Sequence, residues 1–141
     1  MEESGPLAKT WEDSCLEFFF SPVESDPRYI NLETIPSGAY FMGIGTGKPD
    51  VMRLIPQRAE NGLQPHVAFF DGGWEVSYEL SYSFIRRLFP SFAPKSGDVL
   101  RANCYKCGDK TVQPHWLSWS RVETDPLDFH TPQYFGTMIF E

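Results

Sequence analysis

The sequence lacks an apolar run long enough to span a membrane. It lacks an excess of basic charge: Lys and Arg number 12 against 19 for Asp and Glu, a formal charge of -7. Nucleic acid and anionic membranes need clustered cations to neutralise phosphate, so both are excluded as main partners. The three cysteines, Cys15, Cys104 and Cys107, make a poor disulfide framework because the number is odd. The opening MEESGPLAKTWEDS has neither a basic start nor an apolar stretch and does not read as a signal peptide. The default expectation is cytoplasmic, unless the chain is a fragment of a secreted protein. There is no internal repeat and no low-complexity segment.

What the sequence does hold is aromatic residues, 16% of 141, together with 11 glycines and 12 prolines. Long helices tolerate neither glycine nor proline, so this composition leans toward strands and turns. The length suits one domain, residues 1–141. SCLEFFF alternates: Leu16, Phe18 and Phe20 form one row, with Cys15, Glu17 and Phe19 opposite. RYINLETI points Ile30 and Leu32 one way and Tyr29, Asn31 and Glu33 the other. AYFMGIG reads as a third strand, and a short strand is expected within Val51 to Ile55. WEVSYEL alternates with Trp74, Val76, Tyr78 and Leu80 as its apolar row. DVLRANCYKC places Leu100, Ala102 and Cys104 opposite Arg101, Asn103 and Tyr105, and FGTMIFE closes the chain. The good helix candidate is Ser81 to Phe89, capped by serine and stopped by Pro90. The expected fold is all-β: an antiparallel β-sandwich with one short helix.

The polar rows carry Glu17, then Tyr29, Asn31 and Glu33, then Arg101, Asn103 and Tyr105. Strand-mounted carboxylates, amides, a guanidinium and aromatic rings suit a sugar, whose hydroxyls need donors and acceptors and whose C–H faces pack on rings. Such rows are also what a solvated sheet face with cross-strand pairs looks like.

Trp11-x-Asp13-Ser14-Cys15-x-Glu17-Phe18-Phe19 followed by Tyr29-x-Asn31-x-Glu33 resembles the first strands of family 9 carbohydrate-binding modules. Arg101 to Cys107, His115 to Ser120, and Asp128-Phe129-His130-x-Pro132-x-x-Phe135-Gly136 are similar to the bacterial subgroup of that family. The resemblance implies an immunoglobulin-like β-sandwich that binds the end of a glucan or xylan chain without cleaving it. It implies that the sugar lies between two aromatic rings. Trp11, six residues before Glu17, matches one ring; Phe129, three residues before Pro132, matches the other. Phe129 stands where characterised members have Trp, and it offers less stacking area. Trp116 and Trp119 are nearby rings that could share the role.

The ligand-binding residues expected are therefore Trp11, Glu17, Tyr29, Asn31, Glu33, Arg101, Asn103, Tyr105, Trp119 and Phe129. Family members usually carry several more strands before the Trp-x-Asp-Ser-Cys element, so dimerisation or strand exchange is expected of a chain with only ten residues ahead of Trp11. A degenerate sandwich serving as an interaction domain is the second reading. A small glycoside-active enzyme is the third, and it predicts two acidic side chains meeting in a cleft.

No cofactor is expected. Sandwich loops of this class often hold calcium, but Asp26, Asp50 and Asp71 give no firm pattern. Cys104-x-x-Cys107 has zinc-ligand spacing, with His115, His130 and Cys15 as further candidates. Residues i and i+3 on one strand face opposite ways, however, so no metal is assigned. Gly43-x-Gly45-x-Gly47-Lys48 lacks the following Ser or Thr and the helix of a phosphate loop, and reads as a glycine-rich strand end or hairpin.

Overall fold

A computed structural model describes residues 5, 7–57 and 62–141, and among them are nine strands, all paired antiparallel. The first residues of the opening segment and residues 58–61 of the loose stretch before Pro65 lie outside the described residues. The strands are β1 (Cys15–Ser21), β2 (Tyr29–Thr34), β3 (Tyr40–Gly45), β4 (Met52–Arg53), β5 (His66–Phe70), β6 (Gly73–Ser77), β7 (Val99–Gly108), β8 (His115–Ser118) and β9 (Gly136–Ile139). Seven form one sheet in the order β4-β3-β2-β1-β7-β8, with β9 also on β7. β8 pairs with Tyr105 to Gly108 and β9 with Val99 to Ala102, so they share one edge of β7 end to end. The fold is all-β, of the sandwich class, with a single α-helix among the described residues, as expected.

The helix α1 (Tyr82–Leu88) begins where the Ser81 side chain accepts a hydrogen bond from the Phe84 amide. It buries Ile85, which joins Phe89, Phe92 and Leu63 over one face of the large sheet. That face is Phe20, Ile30, Leu32, Met42, Ile44 and Ala102, and Phe20, Ile30, Leu32 and Ala102 come from rows read as apolar.

The other face carries Cys15, Glu17, Phe19, Tyr29, Asn31, Glu33, Asn103, Tyr105 and Cys107, all buried. Burial here comes from the C-terminal segment, whose Phe129 and Phe135 pack on Phe19, Tyr29 and Tyr105. A 3-10 turn at Thr10–Glu12 closes its other end.

Two elements depart from the sequence reading. Trp74 to Leu80 is not one strand: β6 ends at Ser77 and pairs only with β5, across an Asp71-Gly72 turn. Gly72 has φ +85°, the left-handed conformation that such a tight hairpin turn requires. Trp74 is half-buried there, while Tyr78 and Leu80 leave the hairpin to pack on the apolar core. The strands β5 and β8 were not expected. Each is short and lacks a clean period-two pattern, with exposed Phe69 and Phe70 in one and exposed Trp116 and Leu117 in the other.

Candidate functional site

Register brings the polar residues into a lattice. Glu17 lies opposite Tyr105 on one side and Glu33 on the other, and Glu33 lies opposite Phe41. One row along, Asn103, Phe19, Asn31 and Gly43 are aligned. Gly43 is needed there, because a Cβ at that position would collide with the Asn31 side chain and with Val51. Gly43 and Gly45 belong to the end of β3, Gly47 follows it, and the first two let the chain at Val51 fold close over the sheet.

A cleft of about 640 Å³ opens above this lattice. Its floor is Glu17, Asn31 and Glu33; its walls include Trp11, Phe41, Trp116 and Phe129. The 3-10 turn sets Trp11 at the rim, 36% exposed, with its ring edge-on to Phe41 at 6.2 Å between centroids. Backbone amides of Asp109 and Lys110 donate to the carbonyls of Trp11 and Glu12, tying that turn to the end of β7. Phe129 lies on the opposite chain segment and stacks on Tyr105, 4.2 Å between centroids and 15° from parallel. The Tyr105 hydroxyl donates to the Phe129 carbonyl. Trp116 is 49% exposed, and its Nε1 donates to the Asp109 carboxylate at 2.8 Å.

The floor is electrostatically unusual. Burial pushes the Glu17 carboxyl well above its ordinary value, and the adjacent Glu33 charge pushes it further. Burial raises Glu33 to about 7, although the Thr10 hydroxyl and the Asn31 amide both donate to it and Arg53 also favours its charge. The Cys107 thiol donates to Glu17 Oε1. Asn31 Oδ1 is a buried acceptor with no hydrogen-bond partner among the described residues, an arrangement that costs stability.

Of the residues expected from sequence, Trp11, Glu17, Asn31, Glu33 and Phe129 line this cleft. Tyr29 and Tyr105 sit beneath it, fully buried or nearly so. The Tyr29 hydroxyl is hydrogen-bonded to His130 Nδ1, and burial pushes its own acidity down. Asn103 is fully buried, donating to the Ser120 carbonyl and accepting from the Ser120 amide, which anchors the C-terminal segment. Arg101 lies at the far end of β7, exposed, donating to Thr137 on β9. Trp119 is 56% exposed and packs against Gly136, outside the cleft wall that Trp116 joins.

Two of the three loop carboxylates weighed for calcium have partners within the protein: Asp26 takes Arg28, and Asp50 takes the Thr46 hydroxyl and two backbone amides. Phe41, Lys48 and Asp109 also line the cleft and were not foreseen. Pairing of β2 with β3 would have found Phe41, opposite Glu33, but the other two arrive on loops.

The model of carbohydrate-binding family 9 matches residues 7–140, and the chain belongs to that family. Among solved structures, the fold is similar to a candidate carbohydrate-binding protein from Bacteroides uniformis, known by crystallography, at TM-score 0.81 and 32% identity. The alignment covers 99% of this chain and 66% of that one, so the chain spans about two thirds of its relative's length. No curated protein matches the chain.

Proposed function

We propose that the cleft binds a glycan of the glucan or xylan type without cleaving it, holding a terminal sugar ring between Trp11 and Phe129. The observation that carries this reading is that Trp11, Glu17, Asn31, Glu33 and Phe129, drawn from segments more than a hundred residues apart, line one cleft. Its volume of about 640 Å³ falls within the range of small-ligand sites. The rings offer apolar faces to sugar C–H groups, and Trp116 extends that wall. Carboxyls and an amide on rigid strands offer fixed partners for hydroxyls. Membership of a carbohydrate-binding family and the likeness to a candidate carbohydrate-binding protein support the same ligand class.

Titration calorimetry with soluble glucan, xylan and mannan oligosaccharides tests it. Saturable binding of at least one, weakened in Trp11→Ala and in Phe129→Ala, is expected. A folded chain that binds none of the three classes would sink the proposal.

One observation favours the enzymatic reading. Glu17 and Glu33 are cross-strand neighbours in a cleft and both are desolvated. Release of reducing ends from the same oligosaccharides, abolished by Glu17→Gln, would establish it in place of simple binding.

A further inference from the structure

The Cys15 and Cys107 thiols meet the Glu17 carboxyl at and just beneath the cleft floor, and sugar binding gives the two thiols no role. We infer that these three side chains form a site for a thiophilic divalent cation of the zinc class, with its fourth coordination position opening into the cleft. This goes beyond glycan binding, and its test requires no sugar.

The backbone fixes the arrangement. Cys15 and Cys107 are direct cross-strand partners on β1 and β7, on the same face of the sheet. Glu17, two residues along β1, rises on that same face. Their ligand atoms all lie within 4.8 Å of one another, and all three residues are buried. Around a tetrahedral zinc ion, ligand atoms stand roughly 3.3–3.8 Å apart, which small side-chain rotations reach from here. Two sulfurs select zinc, cobalt or a related soft ion over calcium or magnesium.

The site is also directional. Cys15 is fully buried, whereas Cys107 and Glu17 line the cleft. An ion held by all three therefore has protein behind it and the cleft in front, as in sites that keep one position for water or a ligand oxygen. The donors sit on two paired strands of the central sheet rather than on loops, so the set is preorganised. Cys104, the other half of the C-x-x-C spacing, points to the opposite face and takes no part. As the opposite facing of positions i and i+3 implies, Cys107 meets Cys15, 92 positions away, and not Cys104.

Burial of this group without a cation is costly. Glu17 is desolvated and faces the acidic Glu33, and its direct partner is the Cys107 thiol. A bound divalent ion would offset that, each coordinating thiol and the carboxyl releasing its proton to solvent as it binds.

Reduced, metal-free full-length chain titrated with cobalt(II) provides the test. One equivalent should give sulfur-to-cobalt charge-transfer absorption, and zinc should displace it stoichiometrically. Cys15→Ser and Cys107→Ser should each weaken cobalt binding at least tenfold and lose most of the absorption, while Cys104→Ser keeps it. In the unmutated chain, zinc should slow alkylation of Cys107 at least tenfold, which reads the site even if a cysteine variant fails to fold. Absence of the charge-transfer absorption, its loss in Cys104→Ser but not Cys107→Ser, or alkylation of Cys107 unchanged by zinc would each overturn the inference.

Discussion

The two faces of the large sheet are built from alternate residues of the same strands, yet they solve different problems. The face under α1 is apolar throughout, Phe20, Ile30, Leu32, Met42, Ile44 and Ala102, and needs only volume and hydrophobicity. The opposite face buries two carboxyls, two amides and two thiols among aromatic rings. Burying carboxyls is unfavourable unless they are partnered, and here Glu17 and Glu33 are each other's cross-strand neighbours. A sheet selected for stability alone would not be arranged so. The difference teaches that one face is built as a plain core and the other holds the candidate site, and substitutions should separate them.

The largest effect is expected on the apolar face. Leu32 is fully buried, and Leu32→Ala should cost about 2–5 kcal/mol in denaturant unfolding. Glycan affinity of the fraction that remains folded should stay unchanged. Loss of affinity at full folding would break the separation.

On the site face, stability should depend on pH in a defined direction. The Glu33 carboxyl is raised from 4.5 to about 7 in the folded chain. The folded state therefore holds this proton more tightly than the unfolded state. Its contribution is fully present below pH 4.5 and is lost as pH rises through about 7. A shift of this size corresponds to roughly 3 kcal/mol. Melting temperatures from pH 4 to 8 should fall in the unmutated chain and fall less in Glu33→Gln. Equal slopes would show that Glu33 is not the desolvated group described here.

Smaller effects belong to the rim. Trp11→Ala and Phe129→Ala should each weaken glycan binding by about 1–2 kcal/mol, near the upper range for a stacked ring, as read by calorimetry. Trp11→Ala should leave unfolding nearly unchanged, since Trp11 is partly exposed, whereas Phe129 also covers Tyr105. Arg101→Ala should change affinity by less than about twofold, because Arg101 is exposed and bonds Thr137 at the other end of β7. A larger loss would extend the site along β7.

Much of this division was legible in the alternation of β1, β2 and β7. Those strands are central, so each residue's neighbours follow from period two, and Glu17, Asn31 and Glu33 could be placed on one face without a structure. Helix α1 was legible from Ser81 and Pro90, which act locally. Three things were not. Trp74 reads as core by alternation, but its strand belongs to a separate hairpin whose pairing is set by the Asp71-Gly72 turn. Trp116 and Trp119 are three residues apart, and only the pairing of β8 decides which of them reaches the cleft. Cys107 finds Cys15 through the register of β1 with β7, and no spacing within either segment carries that information. The motif resemblance supplied the Trp11 and Phe129 positions, which no periodicity could have brought together.

The four tryptophans allow the central claim to be tested within one sample, since each indole N–H gives its own resonance in a proton–nitrogen correlation spectrum. Adding a bound oligosaccharide should shift the Trp11 and Trp116 indoles, which line the cleft, and leave Trp74 and Trp119 in place. Saturating shifts confined to Trp74 or Trp119, with Trp11 unmoved, would contradict the account.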